Sequence, residues 1–247
     1  QYDVETLAWY RALLDLGVRV DVLPVGASFD GYDVVIAPML HVVTDDLRIR
    51  LEEVVNDGRH LVTTYFSGIV DEHDRVWLGG YPGALRGVLG VTVEEFVPLL
   101  VDAPIALTSG AVASTWTERI VHVGDDVEVL DTYADGDLAE APAITRRRVG
   151  EGSATYVSAD IARTGALDVL RTLAADVEAL RGDDLAAGGR LEVIVRVADG
   201  QRFVFLANRT DDAVEVAAPG ERVSAIAGES ASVRMIGPRE VVVLAQS

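Results

Sequence analysis

The strongest constraint on the fold of this chain is an alternation. Short runs that are apolar on both faces are separated by segments with helical spacing. Val18 to Leu23 is a β-branched run closed by Pro24, Asp33 to Ala37 is a second closed by Pro38, and His60 to Tyr65 is a third. Between the second and third lies a helix with Thr44 as N-cap and Asp45 and Asp46 where the helix dipole favours acids. It carries a single stripe of Leu47, Leu51, Val54 and Val55, and Gly58 is placed to end it. Strands without a polar face must be covered on both sides, so the pattern predicts an α/β fold: a parallel sheet with helices on both faces.

Farther along, strands dominate. Val91 to Phe96, Trp116 to Val123, Val127 to Tyr133, Ala143 to Val149 and Ala154 to Ser158 are candidates, the last two joined by a Gly150-Glu151-Gly152-Ser153 hairpin turn. A helical stripe of Leu167, Leu170, Leu173, Ala174, Val177 and Leu180 follows. Arg181 to Gly189 reads as a linker by composition, and beyond it come only short β-type runs: Leu191 to Val197, Phe203 to Ala207, Val214 to Val216, Val233 to Ile236 and Val241 to Leu244. Two domains are therefore expected, an α/β domain over 1–185 and a small antiparallel all-β domain over 190–247.

Charge divides at the same place. The 247 residues carry 21 basic groups, all arginine, against 40 acids, a net charge of −19, yet from Arg190 onward 7 Arg nearly balance 8 acids. So acidic a first domain repels nucleic acid and anionic lipid, and neither is an expected partner. No apolar run approaches the roughly 18 to 20 residues that span a bilayer. No signal peptide opens the sequence, and there is no cysteine, so a cytoplasmic location is expected.

The first segment, Asp3 to Leu16, has helical spacing with two opposed apolar stripes. Val4, Leu7, Tyr10 and Leu14 form one; Tyr2, Trp9, Leu13 and Leu16 form the other. A surface helix needs one stripe for its own core, so the second, with Trp9, is expected to cover another domain or subunit. Gln1 is not a start methionine, and further chain is expected upstream.

Catalytic patterns are sparse. His41, His60, His73 and His122 include no i, i+4 pair and no His-x-His, so no metal site is expected. Glu94 and Glu95 are strand neighbours that point to opposite faces. Ser67 follows the third strand where a nucleophile elbow would sit, but Tyr65 and Ile69 occupy the positions that need glycine. Gly79-Gly80-Tyr81-Pro82-Gly83 is turn chemistry rather than a dinucleotide fingerprint. Arg146-Arg147-Arg148 splits between two faces of a strand, and Asn208-Arg209-Thr210 reads as a turn. The one clustered set is Asp71, Glu72, His73 and Asp74, in the loop after the third strand, where parallel sheets place ligands. It reads either as a ligand loop or as a solvated loop or subunit contact. No catalytic residue and no cofactor are assigned.

The residues resemble a known family. Tyr65-Phe66-Ser67-Gly68-Ile69-Val70-Asp71-Glu72-His73-Asp74 followed by Leu78-Gly79-Gly80-Tyr81-Pro82-Gly83 is similar to the signature stretch in the trimerisation domain of family 42 β-galactosidases. Trp9-Tyr10-Arg11-Ala12-Leu13 and Val34-Val35-Ile36-Ala37-Pro38 resemble the start of that domain. Phe203-Val204-Phe205-Leu206-Ala207-Asn208-Arg209-Thr210 resembles the C-terminal β domain of the same enzymes. His73 stands where asparagine is common.

The resemblance implies a glycosidase whose two catalytic glutamates lie on an N-terminal (β/α)₈ barrel and act with retention, about 5 to 5.5 Å apart. That barrel is absent from this chain, which is therefore expected to be inactive alone and to meet β-galactosides only through the barrel. The resemblance further implies a Rossmann-like sheet akin to class I glutamine amidotransferases, without their cysteine and histidine, so the fold does not bring that activity. The expected role is assembly into a homotrimer. Tyr2, Trp9, Leu13 and Leu16, with Phe66, Trp77 and Tyr81, would supply contact surface to neighbouring copies and to the barrel, and Trp77 or Tyr81 would help wall the mouth of the barrel's active site. The alternative is a free-standing carbohydrate-binding or hydrolase domain using Asp71 to Asp74.

Overall fold

The computed structural model describes residues 1–100, 102–217, 223–224 and 233–246. The chain divides into two compact units, residues 1–9 with 23–166 and residues 10–22 with 167–247. Two helices, α1 (Tyr2–Leu16) and the later helix Ala162–Ala174, contribute to both units. The stretch expected as one α/β domain over 1–185 is thus distributed over the two.

Along the first unit run β1 (Val34–Ala37), α2 (Asp45–Asn56), β2 (His60–Thr64), α3 (Arg86–Leu89), β3 (Val91–Pro98), β4 (Trp116–Val123), β5 (Val127–Thr132), β6 (Pro142–Val149) and β7 (Gly152–Val157). The central sheet has the order β1-β2-β7-β6-β5. Its first three strands are parallel, whereas β6 runs antiparallel to β7 and β5 antiparallel to β6. The parallel sheet expected from the apolar runs is therefore one part of a mixed sheet, and the hairpin expected at Gly150 to Ser153 opens its antiparallel part. The reason is local: Gly150 has φ +58 and Val149 pairs with Gly152, so the chain reverses in a tight hairpin too short for a parallel crossover. β3 and β4 form a separate antiparallel ribbon.

The double burial inferred from sequence holds at the sheet centre. Leu61 to Thr64 and every residue of β7 are buried. One core cluster joins Leu47, Leu51 and Val55 of α2 and Leu85, Val88 and Leu89 around α3 to Leu61, Ala154 and Tyr156 of the sheet. α2 starts as its sequence dictates, Thr44 Oγ1 accepting the Leu47 N–H at 3.1 Å. It ends at Gly58 (φ +85), where the Arg59 N–H reaches the Val54 carbonyl.

Three sequence expectations fail locally. Val18 to Leu23 is not a strand: Gly17 (φ +78) ends α1 with the Val18 N–H bonded to the Leu13 carbonyl, and the run that follows joins no sheet. The helix expected to reach Leu180 stops at Ala174, and Val177 and Leu180 are buried from a separate short turn, Glu178–Leu180. The linker is ordered, because Asp183 caps a single turn, Asp184–Ala186, that buries Leu185 and Ala186.

Those two side chains belong to the core of the second unit, with Leu191, Val204, Leu206 and Leu244. Strands Leu191–Ala198, Gln201–Asn208 and Val241–Gln246 pair antiparallel, and Val214–Ala217 pairs with Val233–Ile236. Asn208 locks this unit. Its buried Nδ2 donates to the carbonyls of Asp212, Ile236 and Gly237, while its Oδ1 accepts from the Thr210 N–H and hydroxyl. The Asn208-Arg209-Thr210 pattern is thus a turn, as its composition indicates.

Gly152 offers a test of how tightly β7 packs on the end of α2. A Cβ there would overlap the Val55 carbonyl oxygen and lie 2.7 Å from that of Arg59, whereas a Cβ on Gly26 would meet nothing within 4 Å. Gly152→Ala is expected to lower the unfolding free energy by about 2 to 4 kcal/mol. Gly26→Ala is expected to change it by less than about 1 kcal/mol, in the stabilising direction. Urea denaturation of both variants reads the contrast.

Candidate functional site

The site lies where the chain leaves the C-terminal end of β2. Phe66, not Ser67, takes the elbow conformation there, with φ +62, a region in which a bulky residue is strained. Ser67 is fully buried; its Oγ accepts the Leu40 N–H at 2.9 Å and lies 2.9 Å from Thr63 Oγ1. It is a structural hydroxyl with no access to a substrate.

Around Phe66 stands a half-buried aromatic group. His41 stacks on it with ring centroids 5.0 Å apart, Trp116 meets it edge-on at 5.1 Å, and Phe96 lies 5.6 Å away. Tyr81 continues the group, 4.5 Å from Phe96.

Beneath it is Glu118, fully buried on β4. Oε1 accepts the Phe66 N–H at 2.9 Å and lies 3.5 Å from Trp116 Nε1, and Oε2 is bonded to the Tyr156 hydroxyl. Burial pushes the Glu118 carboxyl up to about 7, against the pull of these donors. Tyr133 braces the same point, its hydroxyl bonding the carbonyls of Glu118 and Ser158.

A second buried acid, Glu5 on α1, accepts the Trp9 indole N–H at 2.9 Å and lies 3.4 Å from the Tyr65 hydroxyl. Burial, then the charge of Asp160, raises it to about 7 as well, opposed by the Trp9 and Tyr65 hydrogen bonds.

The sequence-derived contact residues separate into different roles. Trp9 (2% exposed) and Leu13 (6%) are covered within the chain, a correction to their placement on an outward stripe. The N-terminal half of α1 instead turns out Tyr2, Val4 and Leu7, because Glu5 and Trp9, four residues apart, claim the inner face. Leu16, Phe66, Trp77 and Tyr81 are half-buried. Trp77 points its indole N–H inward to the Val43 carbonyl at 3.2 Å.

In the acidic loop, Asp71, Glu72 and His73 bring their ligand atoms within 4.8 Å of one another, and Asp74 sits beside them at φ +56. Asp71, however, is committed to the loop. Its Oδ1 accepts the backbone N–H groups of His73 (2.8 Å) and Arg75 (3.0 Å), and Oδ2 pairs with the Arg75 guanidinium at 2.7 Å. Desolvation would raise this carboxyl, but the Arg75 side chain and the Arg75 and His73 backbone groups outweigh it and hold it at about 2. The arrangement closes a hairpin around its own cation, which disfavours the ligand-loop alternative.

Glu118 and Glu5 were not singled out from sequence. The signal existed: Trp116, Glu118 and Ile120 alternate onto one face of a strand, so an acid stands in an apolar row.

The site is thus an aromatic group over a buried acid in a mixed α/β unit, and an antiparallel β unit completes the chain. Residues 1–180 match the family described as the β-galactosidase trimerisation domain, and residues 190–246 match the β-galactosidase C-terminal domain. The chain belongs to the family 42 β-galactosidases. It is 36% identical to the β-galactosidase BbgII of Bifidobacterium bifidum, over 97% of this chain and 36% of that protein. It is 40% identical to a β-galactosidase of an Arthrobacter species, over 87% of this chain and 31% of that one. Among solved structures, the β-galactosidase of Bacillus circulans sp. alkalophilus superposes with a TM-score of 0.91 at 30% identity, covering all of this chain and 38% of that one. The chain thus spans about a third of the length of these relatives. No helix among the described residues is long and apolar enough to cross a membrane.

The two raised carboxyls set a pH dependence. Folded Glu118 and Glu5 hold their protons up to about 7, while in the unfolded chain such groups ionise near 4.5. Between those values the folded state binds the extra proton, so stability present at pH 4.5 is lost as pH rises through 7, by about 3 kcal/mol for each group. Glu118→Gln, a neutral amide of the same shape, is expected to flatten the part of that decline due to Glu118 between pH 5 and 8. Urea midpoints measured at unit pH steps give the slopes; equal slopes in the two proteins would contradict the assignment.

Proposed function

We propose that this chain is the assembly region of a β-galactosidase: it joins three copies of the enzyme and supplies no catalytic group of its own. The observation that carries the reading is the match of residues 1–180 to the trimerisation family, together with apolar side chains left outward on α1 and on the loop after β2. In the whole protein, a (β/α)₈ barrel would carry the two glutamates that hydrolyse terminal β-D-galactosides with retention. The contact surfaces would include Tyr2, Leu16, Phe66 and Tyr81, with Trp77 as a half-buried contributor, and the domain boundary would lie between 185 and 190. The sheet resembles that of class I glutamine amidotransferases, a likeness supported by the tight, positive-φ turn at Phe66 directly after a central parallel strand.

Charge opposes this assembly, since each copy carries −19. Apolar contact must outweigh the repulsion, and salt screens repulsion without weakening apolar burial. The chain is expected to sediment as a trimer whose dissociation concentration falls as sodium chloride is raised from about 20 mM to about 300 mM. It is also expected to leave a chromogenic β-galactoside uncleaved. A strictly monomeric chain at every salt concentration, or hydrolysis by the purified chain, would overturn the proposal.

A further inference from the structure

Among the described residues of the first unit, Leu78 is the most exposed large apolar side chain, 88% open to solvent, yet its backbone is fixed. The Arg86 guanidinium donates to the Leu78 carbonyl at 2.8 Å and to that of Gly79. Trp77, the residue before it, is anchored inward through Val43, and its own N–H bonds the Ile69 carbonyl at 3.2 Å. Two residues earlier Val76 is exposed as well. Val76 pairs with Val70, and Val70 pairs with Val42, so Val42 and Val76 flank Val70 in a cross-strand row. Beyond the row lies the charged tip, Asp71 to Arg75.

We propose that this hairpin, Val70 to Tyr81, is the element by which one copy of the chain grips a second copy, and that Leu78 is the side chain buried in the neighbour. The inference rests on the assembly reading above and adds the surface that performs it. Three observations favour a copy of this chain over another occupant.

The hairpin lies inside the stretch that matches the trimerisation family. Its layout, an apolar row and a projecting leucine beside a charged tip, follows the core-and-rim plan of protein interfaces. A three-fold ring is built from head-to-tail contacts, which require two different patches on every copy; the first unit offers two apolar surfaces, this hairpin and the Val4 and Leu7 face of α1. Because the Leu78 backbone is already held, docking it costs little ordering entropy, the property of an interface anchor.

The experiment is sedimentation velocity on the 247-residue chain over a concentration series, with Leu78→Asp, Leu78→Ser, Arg86→Ala and the control Leu100→Asp, which alters another strongly exposed leucine. Circular dichroism and thermal melts establish that each variant is folded. The expected result is a trimeric parent, a dissociation concentration raised at least about tenfold by both Leu78 variants, a smaller rise for Arg86→Ala and none for Leu100→Asp. A parent trimer that Leu78→Asp leaves unchanged would overturn this inference while the assembly reading stands. A parent that is monomeric throughout would overturn both. If Leu100→Asp dissociates the trimer as strongly as Leu78→Asp, the loss reflects added charge, and the anchor assignment falls.

Discussion

The position of everything after β2 depends on one buried carboxyl. Glu118 lies on β4, in a ribbon that is not part of the central sheet, and it bonds the Phe66 N–H on one side and the Tyr156 hydroxyl of β7 on the other. It therefore ties the ribbon to the sheet and holds the turn by which the chain leaves β2. Phe66 adopts a positive φ at a cost of order 1 kcal/mol or more, and the hydrogen bond to a desolvated acceptor offsets it. The carboxyl meets this role best when neutral, since burial disfavours its charge and no cation faces it among its bonded partners. Tyr133, bonded to the carbonyls of Glu118 and Ser158, fixes the acceptor from behind.

Acid is distributed unevenly around this frame. Several paired acids reach solvent: Glu52 with Arg48, Asp126 with Arg147, Glu128 with Arg146. Such pairs contribute little to stability, but they neutralise part of the surface. At physiological ionic strength charges farther apart than about 8 Å are largely screened, so the opposition to bringing copies together comes from acids near the contact rather than from the full −19. What decides assembly is therefore where apolar groups stand clear of carboxylates. At the hairpin tip the Asp71 carboxylate is already paired with Arg75.

Much of the architecture was legible because its signals are local. Thr44, the stripe of α2 and Gly58 state a helix and its ends, and the Gly150 turn states a hairpin. The antiparallel half of the sheet was not legible from strands that are apolar on both faces, since burial gives no direction; only the shortness of the connection does. Trp9 was misplaced for a related reason. Two apolar stripes on one helix do not say which faces inward, and the deciding element was Glu5, an acid whose burial cannot be read from a hydrophobic pattern. The signature loop is legible in its motif, but not the direction of its side chains: Trp77 is half-buried with its indole N–H turned inward, and Leu78 projects. Size suggested an interface, whereas the direction of each side chain follows from hydrogen bonds that sequence does not print.

The elbow and the hairpin form one mechanical series. Phe66 sets the direction in which the chain leaves the sheet. Two residues on, Gly68 has φ +63, and a Cβ there would come within 2.8 Å of the Pro82 carbonyl oxygen; a Cβ on Gly83 would run into Trp77. The two ends of the hairpin thus meet backbone to backbone, a closeness that only glycine permits. That closure turns Trp77 inward to Val43, and with Trp77 fixed the next residue has one direction left, outward, where Arg86 holds its carbonyl. An acid buried under the sheet end is in this way connected, through Phe66, Gly68, Gly83 and Trp77, to a leucine in solvent. The positive-φ turn after a central strand, which in other folds presents a nucleophile, here presents a surface.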